Sequence, residues 1–254
     1  ETVEIINPKT SSSTNEFIDK YYMDKQRDGV SYSHAANAIT QSNYFGSMLL
    51  KEGTVDAFMN GPTLNYPECF EPIVNVISTR DNRKAAGIYI LTFKNRFIFL
   101  ADCTVQINPS SEDLADIAWS ANELYQKLIG DIPQVAFLSY SNFGSNRNAK
   151  EIKFAVDIAK KKYPGMRCDG EMQADVAINE MIRTNLFSFS SLDKAADILI
   201  FPDLNAANIS YKLLTQLSET VAIGPILVPM NKTVNIIART ASVSEIKNMA
   251  ILTA

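Results

Sequence analysis

Short apolar runs, polar turns and amphipathic stretches alternate along this chain of 254 residues. The clearest unit covers residues 195–239. Residues 198–201, Ile-Leu-Ile-Phe, have the length and branching of a buried strand, and Pro202 ends it because proline has no amide to donate. Leucine and tyrosine recur at helical spacing over 211–217, and a second apolar run covers 221–227. The pattern predicts a strand, a polar turn, a helix and a strand.

The rest of the chain gives further elements by the same reasoning. The predicted strands and strand-like runs are 3–6, 57–59, 85–93, 97–102, 135–138 and 167–169, with a tight hairpin turn at 94–96. The predicted helices are 17–23, a helix capped by Ser31 that continues through Met48, 112–129 after a Pro-Ser-Ser start, 149–161, and a helix that follows Asp169-Gly170-Glu171 and runs through Ile182. Residues 68–77 fit a helix or an extended segment.

Strands that alternate with helices predict an α/β fold. We expect two lobes, one formed by residues 84–225 and the other by residues 1–83 together with 226–254. In a parallel sheet of this kind the turns after the strands lie at one edge, where ligands usually bind. These polar turns are therefore the candidate ligand-binding site.

Composition excludes several classes of function. The net charge of -4 and the pI of about 5.2 argue against a nucleic-acid partner. No apolar stretch is as long as a membrane span, and the first residues do not form a signal peptide. Three widely spaced cysteines fit a reduced, cytoplasmic compartment. A single histidine makes a histidine-based metal site or a Ser-His triad improbable.

An ordered set of motifs supports a family resemblance. The motifs are FPDLNAANISYKLL at 201–214, VAIGPIL at 221–227, DGEMQADVAIN at 169–179, LSYSNFGS at 138–145, ADCTVQINPSSEDLADIA at 101–118 and, more weakly, DGVSYSHAANAI at 28–39. Together they resemble the phosphate acetyl/butyryltransferase family. The SNFGS and DGEM forms resemble most closely the domain at the C-terminal end of large bacterial NADP-dependent malic enzymes.

The resemblance implies a fold and a chain context. It implies a two-lobed, three-layer α/β/α sandwich, isocitrate/isopropylmalate dehydrogenase-like, as in phosphotransacetylases. Family members begin with a further βα portion and continue past the last helix. We therefore expect the first lobe to be incomplete and the chain to be a fragment of a longer polypeptide.

The resemblance also places the catalytic positions. Active members transfer the acetyl group between CoA and phosphate, which requires a cation, a donor to the oxyanion and a base for the thiol. Their serine, arginine and aspartate fall on Ala238, Arg239 and Glu245. Ala238 cannot donate a hydrogen bond, and Glu245 places its carboxylate one methylene further out. Glu71 stands where active members carry an arginine, and a carboxylate there would repel phosphate.

The candidate binding residues for acetyl-CoA or phosphate come from three segments. A loop of hydroxyls and glycine before a helix can hold an anion through its amides, and the resemblance assigns it a phosphate or CoA role. The candidates are Ser141, Asn142, Gly144, Ser145, Asp203, Asn208, Lys212 and Arg239. Lys25 and Arg27 are weaker candidates for a basic cluster that holds CoA or phosphate.

Structural alternatives stay open for these residues. Ser/Gly turns are common, Asp203 and Asn208 could serve only to cap a helix, and Lys212 could be a solvent-facing charge. Arg239 could be an ordinary helix-start or lobe-bridging ion-pair residue. Lys25 and Arg27 could belong to a solvated loop.

A further alternative concerns the acids of residues 169–171, which could form a metal site, a base or a helix cap. Capping or shaping of the cleft is the favoured reading, since no second acid cluster has metal-ligand spacing. We therefore expect no metal site in this chain.

Three functions fit the sequence. The first is a catalytically impaired domain of a malic enzyme that binds acetyl-CoA as a regulator, in a cytoplasmic homodimer. The second is an active phosphate acetyltransferase, and the third is a structural oligomerisation domain without a ligand. We expect acetyl-CoA or an acyl phosphate as the partner and no covalently bound cofactor. NADP and a divalent metal would belong only to the malic enzyme part of the polypeptide.

Overall fold

The computed structural model describes residues 3–93, 96–146, 150–218 and 220–254. Its chain divides into two compact units. Unit 1 comprises Glu1–Ser78 with Met230–Ala254, and unit 2 comprises Thr79–Pro229. The sequence placed the corresponding limits at residues 84 and 225. Lys94 and Asn95 of the predicted hairpin turn, and Ala149 at the predicted start of a helix, lie outside the described residues.

Helices and strands are numbered along the chain. The helices are α1 Thr14–Lys25, α2 Tyr32–Ile39, α3 Ser42–Lys51, α4 Tyr66–Val76, α5 Ser111–Ile129, α6 Lys150–Lys162, α7 Ala174–Ile178, α8 Glu180–Leu186, α9 Leu204–Leu217 and α10 Val243–Thr253. The strands are β1 Ala57–Asn60, β2 Ala86–Phe93, β3 Arg96–Ala101, β4 Gln134–Leu138, β5 Arg167–Met172, β6 Ile198–Ile200, β7 Val221–Val228 and β8 Thr233–Ile236.

Unit 1 packs helices α1–α4 and α10 around the parallel pair β1 and β8. Aromatic rings join α1 to α3, with the Phe17 and Phe45 centroids 5.2 Å apart. The predicted strand at residues 3–6 is wrong. Val3 and Ile5 are 90% and 92% exposed and pair with no strand of the described chain. Alternation over four residues does not form a strand without a neighbour to accept its hydrogen bonds.

The predicted long helix after Ser31 is also only partly right. Ser31 caps α2 as expected, and its hydroxyl accepts a hydrogen bond from the His34 amide at 3.2 Å. The helix ends at Ile39, and a separate helix, α3, begins at Ser42. Thr40 and Gln41 form the break. Apolar spacing alone did not reveal the break, because both helices keep an apolar face on the same core.

Unit 2 contains a sheet with the strand order β7-β2-β3-β6-β4-β5. Strand β2 runs antiparallel to β3 and β7, as the predicted hairpin requires, whereas β3, β6, β4 and β5 are mutually parallel. The carboxyl ends of these four strands therefore share one edge. The chain leaves that edge at Asp102, Phe201, Ser139 and Gln173, so the predicted polar turns meet there.

Helices cover both faces of this sheet. On one face, Leu91, Leu100 and Ala136 form a core with Ala177 of α7 and Tyr211 of α9. On the other face, α5 and α6 pack together against the strands, with Phe99 and Tyr125 centroids 4.9 Å apart. The fold is thus an α/β/α sandwich of three layers, which confirms the predicted fold class. Helix α5 confirms the prediction for 112–129, ending at Gly130 in the left-handed conformation that glycine adopts easily.

The segment after residue 167 differs from the prediction. Strand β5 continues to Met172 instead of ending at Asp169. The single helix expected after Glu171 and through Ile182 is replaced by α7 and α8, which are separated at Asn179. The Asn179 side chain accepts hydrogen bonds from the amides of Met181 and Ile182, so it caps the second helix. No helix in the described ranges has the length and apolar character needed to cross a bilayer.

Candidate functional site

The carboxyl edge of the parallel strands in unit 2 holds a cavity of about 300 Å³. Asn108 lines it from the segment after β3, Ser139 from the end of β4 and Asp203 from the end of β6. Glu151 in the first turn of α6 lines the same cavity. The position agrees with the general location of ligand sites in open α/β sheets.

Asp102, directly after β3, holds its own loop. Its Oδ1 accepts hydrogen bonds from the amides of Gly87, Thr104 and Val105 at 3.0, 2.9 and 3.1 Å. Its Oδ2 accepts one from the Gln106 amide at 2.7 Å. The carboxylate is 3% exposed. Asp102 is therefore a structural anchor that the sequence did not single out within the ADCTVQINPS motif.

Glu171 holds the Ser141–Ser145 loop, which follows β4, by accepting hydrogen bonds from it. Its Oε1 accepts a hydrogen bond from the Gly144 amide at 2.5 Å and one from the Ser141 hydroxyl at 3.3 Å. The Phe143 amide donates to the Glu171 carbonyl at 2.8 Å. Two of the donors predicted for a phosphate thus donate to a carboxylate of the protein. The sequence showed the two motifs separately but gave no sign of their contact.

The remaining candidates of the Ser141–Ser145 loop also bond within the protein. The Ser141 and Ser145 hydroxyl oxygens are 2.9 Å apart. Asn142 exchanges two hydrogen bonds with Gln173, at 2.7 and 2.8 Å. Gly144 has a φ of 82°, which favours glycine. The structure brings Ser141, Asn142, Gly144 and Ser145 together, and their role in binding phosphate stays a prediction.

Helix α9 carries three further candidates. Asp203 is its N-cap, with Oδ1 accepting a hydrogen bond from the Ala206 amide at 2.8 Å. The Asn208 amide donates to the Cys103 carbonyl at 3.2 Å and so ties α9 to the segment after β3. Lys212 is exposed, its ammonium lies 5.2 Å from the centroid of the Tyr211 ring, and it makes no ion pair within the described ranges. Asp203 and Asn208 thus make hydrogen bonds that stabilise the fold, whereas the Lys212 ammonium has no carboxylate partner in the described ranges.

Unit 1 holds the three residues at the catalytic positions of the resemblance. Arg239 is exposed and donates from Nη1 to the Asn65 side-chain oxygen at 2.8 Å. Among described residues no carboxylate pairs with it. Ala238 is half-buried. The Ser141–Ser145 loop belongs to unit 2, and the role of Arg239 together with this loop in binding acetyl-CoA or phosphate stays a prediction.

Glu245 sits in the first turn of α10 and completes a capping box with Ser242. Its Oε2 accepts a hydrogen bond from the Ser242 amide at 2.6 Å, and the Glu245 amide donates to the Ser242 hydroxyl at 3.2 Å. This reciprocal pair satisfies two amides at the helix start. The carboxylate that the resemblance places at a base position is therefore engaged in capping.

Glu71 lines a second cavity, of about 470 Å³, within unit 1. The other polar residues around it are Ser33, His34, Asn37, Gln41 and Tyr44. No lysine or arginine of the described chain lines this cavity. A carboxylate without a neighbouring cation does not favour a phosphate.

Two further basic and acidic groups have structural partners. Lys25, a weak candidate for a basic cluster, pairs with Asp28 at 3.1 Å. Burial by itself would raise the pKa of Asp169, but the Lys160 ammonium at 2.9 Å, together with hydrogen bonds from Ser190 and Ser191, lowers that pKa below its ordinary value.

Burial raises the pKa of the Cys168 thiol to about 11, and Cys69, Cys103 and Cys168 are buried and free. A buried thiol with a raised pKa is a poor nucleophile. No group of three or more histidine, cysteine or acidic residues in the described ranges is arranged to hold a metal ion.

The family profile described as Phosphate acetyl/butaryl transferase matches residues 1–254. The phosphate acetyltransferase of Clostridium acetobutylicum is 32% identical over 98% of this chain and 78% of that protein. The NADP-dependent malic enzyme of Escherichia coli is 35% identical over 98% of this chain but only 33% of the enzyme. The phosphate acetyltransferase of Synechocystis is 31% identical, and this chain spans 36% of its length.

Solved structures agree with these relatives. A phosphotransacetylase from Streptococcus pyogenes superposes with a TM-score of 0.91 at 28% identity, covering all of this chain and 78% of that one. The EutD phosphotransacetylase from Staphylococcus aureus gives a TM-score of 0.87 at 28% identity, covering 99% and 78% of the two chains. The full-length family match and these similarities place the chain in the phosphate acetyl/butyryl transferase family.

Proposed function

We propose that this chain is the phosphotransacetylase-like part of a malic enzyme and binds acetyl-CoA as a regulatory ligand with impaired transferase activity. The observation that supports the proposal is which groups occupy residues 238 and 245, two of the catalytic positions implied by the resemblance. Ala238 has no hydroxyl, and the Glu245 carboxylate is engaged by the Ser242 amide. The malic enzymes of Escherichia coli and Rhizobium meliloti, which this chain matches over 98% and 99% of its length, supply the context.

The loss of these groups weakens catalysis more than binding. Removal of one donor to a developing oxyanion lowers turnover by about 10² to 10³. General base catalysis contributes about 10² to 10⁴, so a carboxylate held in a capping box costs a comparable factor. Binding of acetyl-CoA uses many contacts at once. It therefore survives changes that affect the transition state alone.

The cations that would hold the CoA phosphates are still present. Arg239 and Lys212 are exposed, and neither makes an ion pair within the described part of the chain. A guanidinium can bind a phosphate with two parallel hydrogen bonds. In this proposal Arg239 binds a phosphate of the ligand and Lys212 adds a point charge. No covalently bound cofactor takes part.

A second function, active phosphate acetyltransferase, has its own support. Proteins named phosphate acetyltransferase in Clostridium acetobutylicum and Bacillus subtilis are 32% identical to this chain, which spans 78% of each of them. The reaction would transfer the acetyl group from CoA to phosphate. Arg239 would hold the phosphate, and a donor other than residue 238 would have to stabilise the oxyanion.

One pair of assays on the full-length polypeptide separates the possibilities. Acetyl-CoA is titrated by calorimetry, and release of the CoA thiol is followed with arsenate as the acceptor. Binding without release supports the regulatory proposal, and release at ordinary enzymatic rates supports the transferase. If acetyl-CoA neither binds nor releases its thiol, both functions are contradicted, and a structural oligomerisation domain is the remaining hypothesis. We further infer a cytoplasmic homodimer, which light scattering after gel filtration tests.

A further inference from the structure

We propose that Glu171 is the resident anion of the Ser141–Ser145 loop and the residue that positions it. The loop would then be unavailable to a phosphate of the ligand. The geometry that supports this is the convergence of the Gly144 amide and the Ser141 hydroxyl on one carboxylate oxygen, at 2.5 and 3.3 Å. These are the donors that a loop of this composition would otherwise offer to an external anion.

Two further contacts tie the loop to β5. The Phe143 amide donates to the Glu171 carbonyl at 2.8 Å, and the Ser139 amide donates to the Met172 carbonyl at 2.9 Å. Residue 171 thus holds the loop through both its main chain and its side chain. A group bonded at both places fixes the position of the Phe143–Gly144 turn more firmly than a side-chain contact alone.

The carboxylate is closed off from solvent. Glu171 is 1% exposed, and its Oε2 is buried with no hydrogen-bond partner in the described ranges. A phosphate is larger than a carboxylate, so it could reach the Gly144 amide only by displacing the Glu171 side chain.

The inference rests on the proposed function only where it concerns acetyl-CoA. If the ligand binds, its phosphates are held by exposed cations and not by the donors that face Glu171. Removal of the Glu171 charge should then leave affinity unchanged. A loop that bound phosphate directly would instead gain affinity once the competing negative charge was gone.

Three variants of the full-length protein test the inference. Glu171→Ala removes the anion, Glu171→Gln keeps the shape without the charge, and Glu112→Ala removes an exposed carboxylate as a matched control. We expect Glu171→Ala to lower the melting temperature by several degrees. Formate at 100 mM should restore it, while equal ionic strength of chloride or phosphate should not. Restoration by phosphate as effective as by formate, or no restoration by either, would overturn the proposal.

Two readouts keep the test decisive if Glu171→Ala does not fold. In Glu171→Gln, the Gly144 amide proton should move upfield in the NMR spectrum, because its acceptor is no longer charged; an unmoved resonance would contradict the proposal. Acetyl-CoA affinity should stay within twofold of wild type, and a tenfold gain would show an open phosphate loop. If wild type binds no acetyl-CoA, the proposed function fails while the formate and NMR results still decide this inference.

Discussion

The turns of unit 2 and the Arg239 segment of unit 1 use their polar residues in opposite ways. In unit 2, Asp102 accepts four amides, Glu171 accepts donors from the Ser141–Ser145 loop, and Asp203 caps α9. In unit 1, Arg239 is exposed with one hydrogen bond to Asn65 and no ion pair in the described ranges. The acids of these motifs hold their own turns, whereas the Arg239 guanidinium has no carboxylate partner in the described ranges.

The difference shows that family motifs contain two kinds of residue, buried acids that stabilise the fold and exposed cations that are available to a ligand. A buried carboxylate that receives several amides stabilises a turn, and its loss affects folding. An exposed guanidinium contributes little to the core, so its loss affects binding. Two results would contradict this comparison. One is an acid whose removal leaves the free energy of unfolding unchanged, and the other is a cation whose removal leaves ligand affinity unchanged.

The largest effect is expected for Asp102→Ala. It removes the acceptor of four amides, and hydrogen bonds to a charged group contribute about 1.5–3 kcal/mol each, only part of which is additive. We expect a loss of about 4 kcal/mol in the free energy of unfolding, measured by urea denaturation. Asp157→Ala, at an exposed position of α6, should change it by less than about 0.5 kcal/mol. Equal effects of the two variants would break the comparison.

Ala238→Ser should have the next largest effect, on turnover instead of stability. It returns a hydroxyl to the position where the resemblance places a catalytic serine. A restored oxyanion donor should raise arsenate-dependent release of CoA by about 10² to 10³. Ala241→Ser, which adds a hydroxyl three residues away, serves as the control. A wild type that is already fast, and is unchanged by the substitution, would favour the active transferase.

The sequence predicted the layout of unit 2 because its strands are short, continuous apolar runs ended by proline or polar turns. Helices α5 and α9 followed from spacing and caps that depend only on neighbouring residues. The break at Thr40–Gln41 and the absence of a strand at 3–6 depend on tertiary partners. The contact between Glu171 and Gly144 joins residues 27 apart, which one sequence cannot show.

The candidate site shows the same limit. The segments that the resemblance selected in unit 2 lie after parallel strands or on the helix that follows one, as the Ser141–Ser145 loop, Asp203 and Asn208 show. It could not say which of their donors are already used within the protein. That knowledge needed atomic distances, because a serine that binds phosphate and one that binds Glu171 look alike in a motif.

Arg239→Ala tests the unit 1 side of the comparison. A charge-assisted contact to phosphate is worth about 1.5–3 kcal/mol, so acetyl-CoA affinity should fall about 10- to 100-fold, at 1.4 kcal/mol per decade. Lys247→Ala removes an exposed cation from the same unit as the control. An unaltered isotherm with a shifted melting temperature would make Arg239 a structural residue.

Asp169→Asn probes a motif acid through pH. The pKa of Asp169 is lowered in the folded protein, so the unfolded chain binds its proton more readily, and stability rises with pH. The contribution is present above about pH 4, the ordinary value, and is lost as pH falls through the lower folded value. We expect about 1.5 kcal/mol. Urea titrations from pH 2 to 7 should show a flatter profile for Asp169→Asn but not for Asp157→Asn.

The smallest effect concerns Glu245, where capping and catalysis make different demands on the same side chain. A capping box accepts glutamine in place of glutamate, so Glu245→Gln should keep the free energy of unfolding of unit 1. Glu245→Ala should lower it by about 1 kcal/mol, as loss of a cap does. A base, in contrast, needs the carboxylate itself. If Glu245→Gln abolishes release of CoA while stability is unchanged, the carboxylate leaves its cap to act in catalysis, and Glu245 has a catalytic role in addition to its capping role.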